Sequence, residues 1–340
     1  MATTQDSSVG IGKESTYGTS VTPTRWFEFT DEKFEFKPMR KQGKGLRVGG
    51  RLARSGRRVT TGLEVTGELN LEAVTKGLGL LFEGALGSGT STLVGGSGTT
   101  YQQNFTIGDT LSSFTVQKGL VEEDGTVTPY TFTGCVIDSW EITSGTDEVV
   151  SLKFGFDGNG GVSTATSYTT PSYPTTPSLF TFTQGVLTSG AFTAPTTTAL
   201  ASGATTIANV TEFSIKGENK LTGGMRTYGS AGKRGTKPRA GDRSDAVSGK
   251  VKVIYTDTTF RDASFNDTDL SLILTFTTAE ALSSGFATLQ IAIPVARLEP
   301  ETPQVNGGEV IETDYTFTVL DGLSAAQPLW VVLRTSDSAL

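Results

Sequence analysis

The sequence predicts a mainly β protein made of two tandem units, with one short helix in at least the first. Three observations carry this reading. Apolar and polar residues alternate with period two in one segment after another, the mark of strands with one buried and one solvated face. Glycine supplies 42 of 340 residues and Ser and Thr are dense throughout, which favours short strands and many turns over long helices. A strand, a Met-Arg dipeptide, a basic loop and a second strand occur twice at one offset. Met39 and Met225 lie 186 positions apart, as do Val65 and Val251.

In chain order, Phe27-Glu28-Phe29 opens the first unit. Leu63, Val65, Gly67, Leu69 and Leu71 then alternate with Glu64, Thr66, Glu68 and Asn70. Leu71, Val74, Leu78, Leu81 and Phe82 fall on one helical face, so a helix is expected there with Asn70 as its N-cap and with Gly77 and Gly79 weakening it. A Gly/Ser/Thr tract follows from Gly87 to Thr100. Tyr130 to Thr143 and Val149 to Phe156 then form a paired-strand pattern. The stretch from Asp157 to about Pro195, rich in Gly, Ser, Thr and Pro, has a composition that does not order itself unaided.

The second unit repeats the order with Phe213-Ser214-Ile215, a strand through Val251 and Val253, and alternating Leu270 to Phe276. It closes with Leu289 to Leu298 paired with Val310 to Val319. The offset of the closing pair is nearer 160, which places an insertion in the first unit between Gly84 and Pro129. The expected division is 1–160 with a Gly/Ser/Thr-rich insertion near 84–129, a Ser/Thr/Pro-rich linker at 161–195, and 196–340. A second helix is expected to be short or polar, at Phe260 to Asp269.

Composition narrows the function. The chain is 36% hydrophobic and 19% charged, enough for a core but polar-leaning. It has no histidine, which removes the commonest general base and the commonest zinc ligand together. Its one cysteine, Cys135, excludes an intrachain disulfide and a cysteine-cluster metal site, and reads as a small core residue in a strand. No apolar run reaches the roughly 18 residues that span a bilayer, and the first residues lack a basic-then-apolar leader. The expectation is a soluble protein without a secretion signal, made in a reducing cytoplasm.

Charge is segregated. Met39 to Arg58 holds Arg40, Lys41, Lys44, Arg47, Arg51, Arg54, Arg57 and Arg58 and no acid. Met225 to Arg243 holds Arg226, Lys233, Arg234, Lys237, Arg239 and Arg243 against Asp242. These are 14 of the 28 cations; the rest of the chain carries the other 14 against 34 acids, a balance of −20. Such segregation suits an object that meets copies of itself in a fixed orientation. A nucleic-acid patch is the competing reading. Both loops are glycine-rich and lack the interleaved aromatics of single-strand binders. They are expected to be long hairpin arms that order across a subunit boundary, where Arg forks pair with a neighbour's acids.

Other motifs have bland explanations. Gly10-Ile11-Gly12-Lys13-Glu14-Ser15 and Gly229-Ser230-Ala231-Gly232-Lys233-Arg234 lack the spacing and the strand-to-helix setting of a phosphate loop. Asp31-Glu32 and Glu122-Glu123-Asp124 read as solvated turn charge rather than a paired-carboxylate site. Asp157-Gly158-Asn159-Gly160-Gly161 lacks the closing acid of a calcium loop and reads as a tight turn. The Asn-X-Thr matches at Asn104, Asn209 and Asn266 have no consequence without a secretion signal. No catalytic, cofactor or metal residues are assigned.

A wider resemblance follows from the order of segments. Gly10-Ile11-Gly12-Lys13-Glu14-Ser15-Thr16-Tyr17-Gly18-Thr19 leads into Pro23-Thr24-Arg25-Trp26-Phe27-Glu28-Phe29. The basic loop comes next with Ser55-Gly56-Arg57-Arg58, and then Thr61-Gly62-Leu63-Glu64-Val65-Thr66-Gly67-Glu68-Leu69. This resembles the tail tube proteins of long-tailed, non-contractile bacteriophages over roughly 9–85, with an echo at 205–260. The resemblance implies a β-sandwich or half-barrel with one helix in each unit. It implies edge-to-edge joining of subunits into a continuous barrel around a lumen, and stacking of rings through the loop after the first strand pair. Met39–Arg58 and Met225–Arg243 would be those inter-ring loops.

Some relatives carry two tube units per chain and form trimeric rings with pseudo-sixfold symmetry; an unduplicated chain would form hexamers. The implied partners are further copies of the chain, tape-measure, tail-terminator and distal tail proteins, and duplex DNA in transit, with no membrane. The implied location is the phage tail, after synthesis in the host cytoplasm. A conduit for a polyanion favours an acidic lumen, so Glu64 and Glu68 are lumen-facing candidates, although strand parity does not say which face points inward. Another virion β-protein, a carbohydrate-binding sandwich and a nucleic-acid binder are the rival readings.

Overall fold

The computed structural model describes residues 6–239, 243, 245–305, 307 and 310–340. Asp242, the one acid of the second basic window, lies outside the described residues. The first half of the chain forms β1 (Ser8–Lys13), β2 (Arg25–Phe27), β3 (Phe29–Glu32), β4 (Glu35–Gln42), β5 (Arg58–Glu72), α1 (Gly79–Leu86), β6 (Gly87–Leu93), β7 (Tyr101–Ile107), β8 (Phe114–Val121), β9 (Val127–Ser144), β10 (Ser151–Gly158) and β11 (Gly161–Ser163). The second half forms β12 (Gly185–Ser189), β13 (Thr205–Ile207), β14 (Val210–Glu218), β15 (Val247–Ile254), α2 (Thr259–Phe265), β16 (Leu270–Ala281), β17 (Phe286–Leu298), β18 (Glu312–Val319) and β19 (Trp330–Thr335).

The fold is a mainly β, antiparallel sandwich around one long sheet. Its spine runs β3/β4–β5–β10–β9–β14–β15–β18–β17. The order β3/β4–β5–β10–β9 in the first half recurs as β14–β15–β18–β17 in the second. Peripheral strands follow suit: β1 pairs with β2 and β8, as β12 pairs with β13 and β16. One rung of the spine reads Leu71–Leu152–Ile142–Ile215–Gly249–Phe317, and the next in parity reads Asn70–Lys153–Glu141–Lys216–Ser248–Thr318. One face of the sheet is therefore apolar and the other polar across both halves, as period two requires. A continuous buried cluster lines the apolar face, from Val9, Leu69 and Phe154 through Ile142 and Ile215 to Phe276 and Phe317.

The halves are joined by β9 against β14, from Phe213 opposite Ser144 to Glu218 opposite Ser139. Gly217 lies opposite Trp140, and a Cβ at Gly217 would overlap the indole ring. Within 84–129, the hairpin β6–β7 pairs with the C-terminal strand β19, itself paired with β17. It thus ties the second half to the first.

One expectation is corrected. The helix begins at Gly79, and Asn70 is not its cap: Asn70 and Leu71 continue β5, held by the ladder to β10 through Glu72 opposite Ser151. Gly77, at φ 84, turns the chain between strand and helix. The helix ends at left-handed Gly87, whose N–H reaches the Glu83 carbonyl. All of α1 is buried, with Phe82 against Phe105 and Phe154 at centroid distances of 5.5 and 6.1 Å. The Ser/Thr/Pro stretch is ordered by what it packs on. Phe180 is fully buried and exchanges backbone hydrogen bonds with Ala73 and Val150, Tyr168 bonds Ser8, and residues 185–189 form β12. The second helix is short, as expected, and runs from Thr259 to Phe265.

Candidate assembly surfaces

The strand registers give the sheet two chemically opposite ends. At one end, the β4–β5 ladder runs past the body to Gln42 opposite Arg58 and carries the first basic loop outward. Arg40, Lys41, Lys44, Arg47, Arg51, Arg54, Arg57 and Arg58 are all exposed. Among the described residues none of the eight forms an ion pair. The arm also carries apolar residues at its tip: Leu46, Val48 and Leu52 are 101, 100 and 89% exposed. The arm thus combines unpaired cations, among the described residues, with a bare apolar tip.

The second basic loop, between β14 and β15, emerges at the same end but does not project. It lies on the first half. Arg226 donates to the Leu63 carbonyl (2.9 Å) and Arg234 to Glu64 (3.0 Å) and the Gly158 carbonyl (2.8 Å). Asp157 receives both Arg234 and Lys237. Arg239 caps the end of α1, donating to the Leu86 carbonyl (2.9 Å), to the Gly108 carbonyl and to Asn219 Oδ1 (2.5 Å). Asn219 in turn donates to Ala85 and Ile137 carbonyls (2.9 and 2.7 Å). Arg243 reaches Asp109 at 3.6 Å, and Lys233 is exposed. Tyr17 donates to the Gly235 carbonyl (3.2 Å), and burial pushes its hydroxyl up to about 12. The expectation of a second free arm is therefore corrected. Acceptors far away in sequence, Asp157 and the α1 carbonyls, hold it down.

The opposite end is acidic. Glu28, Glu72, Asp147, Glu148, Asp257 and Glu312 lie at or beyond the other strand ends and are exposed. Asp147 stands at the tip of the β9–β10 turn with φ 62. The polar sheet face carries Glu64 and Glu68 with Glu141, Asp157, Glu212 and Asp314, and three of its lysines pair with acids: Lys153 with Glu68 (2.9 Å), Lys250 with Asp314 (2.8 Å), Lys252 with Glu212 and Glu312 (3.3 and 3.0 Å). The hydrogen bond from Lys153 holds the Glu68 carboxyl below its ordinary range. Cys135 is buried, and burial pushes its thiol up, away from reactivity.

Sequence reasoning found both basic segments but missed Asp157, Asn219 and the Asp147-Glu148 tip. Their part depends on contacts between halves that no local pattern announces. Among the described residues no group of three or more His, Cys, Asp or Glu is placed to hold a metal, and no helix is long and apolar enough to cross a membrane.

Compared with known families, residues 4–319 match the one described as phage tail tube protein. A comparison with curated proteins gives no match.

Proposed function

Because this chain belongs to the phage tail tube protein family, and so is a structural protein of the virion tail that self-associates into a tube, we propose that it acts as a two-unit subunit. Three copies close a ring with pseudo-sixfold symmetry, rings stack head to tail, and phage DNA passes through the lumen. The observation that carries this reading is the polarity of the sheet, with a basic arm at one end and exposed acids at the other. A heterologous contact of that kind propagates along an axis instead of closing on itself.

The lateral joint has an internal template. β9 already pairs with β14 inside the chain, and the recurring strand order leaves the outer edge of β3 and the end of β17 as the corresponding unpaired positions. Pairing them between copies removes exposed sheet edges. The core, α1 and α2 occupy the apolar side of the sheet, so the polar side, with Glu64 and Glu68, is the face assigned to the lumen. Its acids, with Lys153, Lys250 and Lys252 paired to them, suit transit of a polyanion without retention. In this scheme Arg40 to Arg58 make the inter-ring contact, while the loop from Arg226 to Arg243 braces the two units of one chain. Tape-measure, terminator and distal tail proteins would meet the ends of the tube.

Negative-stain microscopy of the purified protein tests the proposal. Hollow tubes of even diameter are expected; monodisperse monomers at high concentration would overturn it.

A further inference from the structure

At the basic end, where β14 leaves β9, a cavity of about 310 Å³ opens between the halves. Trp140, Val247, Val319 and Leu320 form its apolar walls, and Arg239 and Arg243 border it. Among the described residues Arg239 Nε and Arg243 Nη1 are buried with no hydrogen-bond acceptor. Buried guanidinium N–H groups left unpaired are costly. Burial, followed by repulsion from Arg243, pushes Arg239 down to about 10 even though Asp109 stands 3.6 Å from Arg243, so the one nearby ion pair leaves these two N–H groups without an acceptor.

The same strand that walls this cavity, β9, leads at its other end into the turn 145–148, which carries Asp147 and Glu148 exposed and without ion pairs among the described residues. The turn is held in shape: Thr146 Oγ1 donates to the Thr211 carbonyl (2.9 Å) and Glu148 N–H to the Gly145 carbonyl (3.2 Å). Hole and knob thus share the seam between the halves, at opposite ends of the sheet; the hole is lined by Glu218 and Asp321 as well as the two arginines, and what it offers an acidic knob is the two unpaired guanidinium N–H groups.

We propose that this cavity is the socket for the Asp147-Glu148 turn of a second copy of the chain, so that each seam plugs into the seam of the next ring. The inference rests on the head-to-tail stacking proposed above and names a second axial contact besides the arm. The turn brings carboxylate oxygens to Arg243 and Arg239, supplying the missing acceptors as charge-assisted hydrogen bonds. Its neighbour Val149 adds an apolar flank.

The test is a charge exchange scored by the fraction of protein that sediments as tubes. Arg243→Glu and Asp147→Arg each reduce that fraction by at least roughly tenfold, as loss of a close charged pair at an interface does, and the double variant recovers most of it. Both positions are outside the core, so each unassembled variant should melt as wild type does. Singles that polymerise normally, or a double variant no better than either single, overturn the proposal.

Disulfide capture gives an independent reading. Asp321 lines the mouth of the cavity, and Cys135 is buried and silent. Oxidised tubes of the Asp147→Cys, Asp321→Cys variant should give a covalent ladder extending beyond the copy number of one ring. Intact tubes without a ladder overturn the socket while leaving the tube reading in place. Wild-type protein that forms no tubes removes the stacking reading itself.

Discussion

Asp157→Asn isolates the brace between the two halves. The substitution keeps shape and removes one charge that serves two cations. Asp157, Arg234 and Lys237 have side chains only 16, 9 and 12% exposed, so this is a largely buried ionic cluster, not a surface pair. Breaking such a pair from one side costs about 3–5 kcal/mol, because the remaining charge stays desolvated. Arg234 keeps Glu64 and the Gly158 carbonyl, which argues for the lower end, whereas Lys237 loses its one ion-pair partner among the described residues.

A loss of about 3 kcal/mol raises the population of the opened loop by roughly two orders of magnitude, and it does so locally, because the β ladders beneath are untouched. Trypsin reads this directly at Arg234–Gly235. When opening is fast relative to cleavage, the cutting rate follows the open population. Cleavage at that bond should rise by roughly a hundredfold, while the global melting transition moves little. An unchanged cleavage rate in Asp157→Asn, or a large global destabilisation without selective cutting of the loop, would refute the assignment of the loop as a brace held by this carboxylate.

Other perturbations separate assembly from folding. Replacing Arg51, Arg54, Arg57 and Arg58 with Gln should leave the melting temperature unchanged, since none of them is paired or buried, and should abolish tube growth; normal tubes by electron microscopy would remove the arm's role. Gly217→Ala should cost about 1–3 kcal/mol in equilibrium unfolding by overpacking the Trp140 ring at the joint. Gly56→Ala, which meets nothing within 4 Å, should be neutral. Glu280 links β16 to the first half through Thr75 (2.6 Å) and Lys76 (3.2 Å). Burial pushes its carboxyl up, but hydrogen bonds from Thr75, Lys76 and Ser178 outweigh this and leave it below 4.5. Its contribution is therefore complete above that ordinary value and is lost as pH falls through the depressed one. The difference in melting temperature between wild type and Glu280→Gln should vanish on acidification.

What was legible in the sequence depended on range. Leu63 to Leu71, Leu270 to Phe276 and Tyr315 to Val319 announced strands because period two is local. The spacing of 186 matched real ladder equivalents, since Thr66 lies opposite Asp157 and Lys252 opposite Asp314. The helix was misplaced where two local codes overlapped. Leu71 and Val74 fit a helical stripe, but the pairing of Leu71 with Leu152 decided its state, a tertiary contact overriding propensity. The order of the Ser/Thr/Pro stretch was not legible for the same reason, because Phe180 bonds to Ala73 and Val150, outside that stretch. The two basic loops look alike in composition, and their fates differ only because Asp157 and the α1 carbonyls lie within reach of one of them.

That difference bears on how the subunit assembles. The β14–β15 ladder stops at Gly217 opposite Val247, so its loop is free to bend across the joint onto the neighbouring half. The β4–β5 ladder continues to Gln42 opposite Arg58 and holds its loop straight. For the second loop the neighbouring half belongs to the same chain and the contact is already made. The first loop extends from the β4–β5 ladder at the edge of the spine, and it lies on no neighbouring half of its own chain. Eight like charges on one finger repel each other and persist only where an acceptor is waiting or water screens them. In the head-to-tail stack proposed above, the acids at the far end of the sheet would be that acceptor, and high salt should accordingly weaken ring stacking while leaving the buried Asp157 cluster intact.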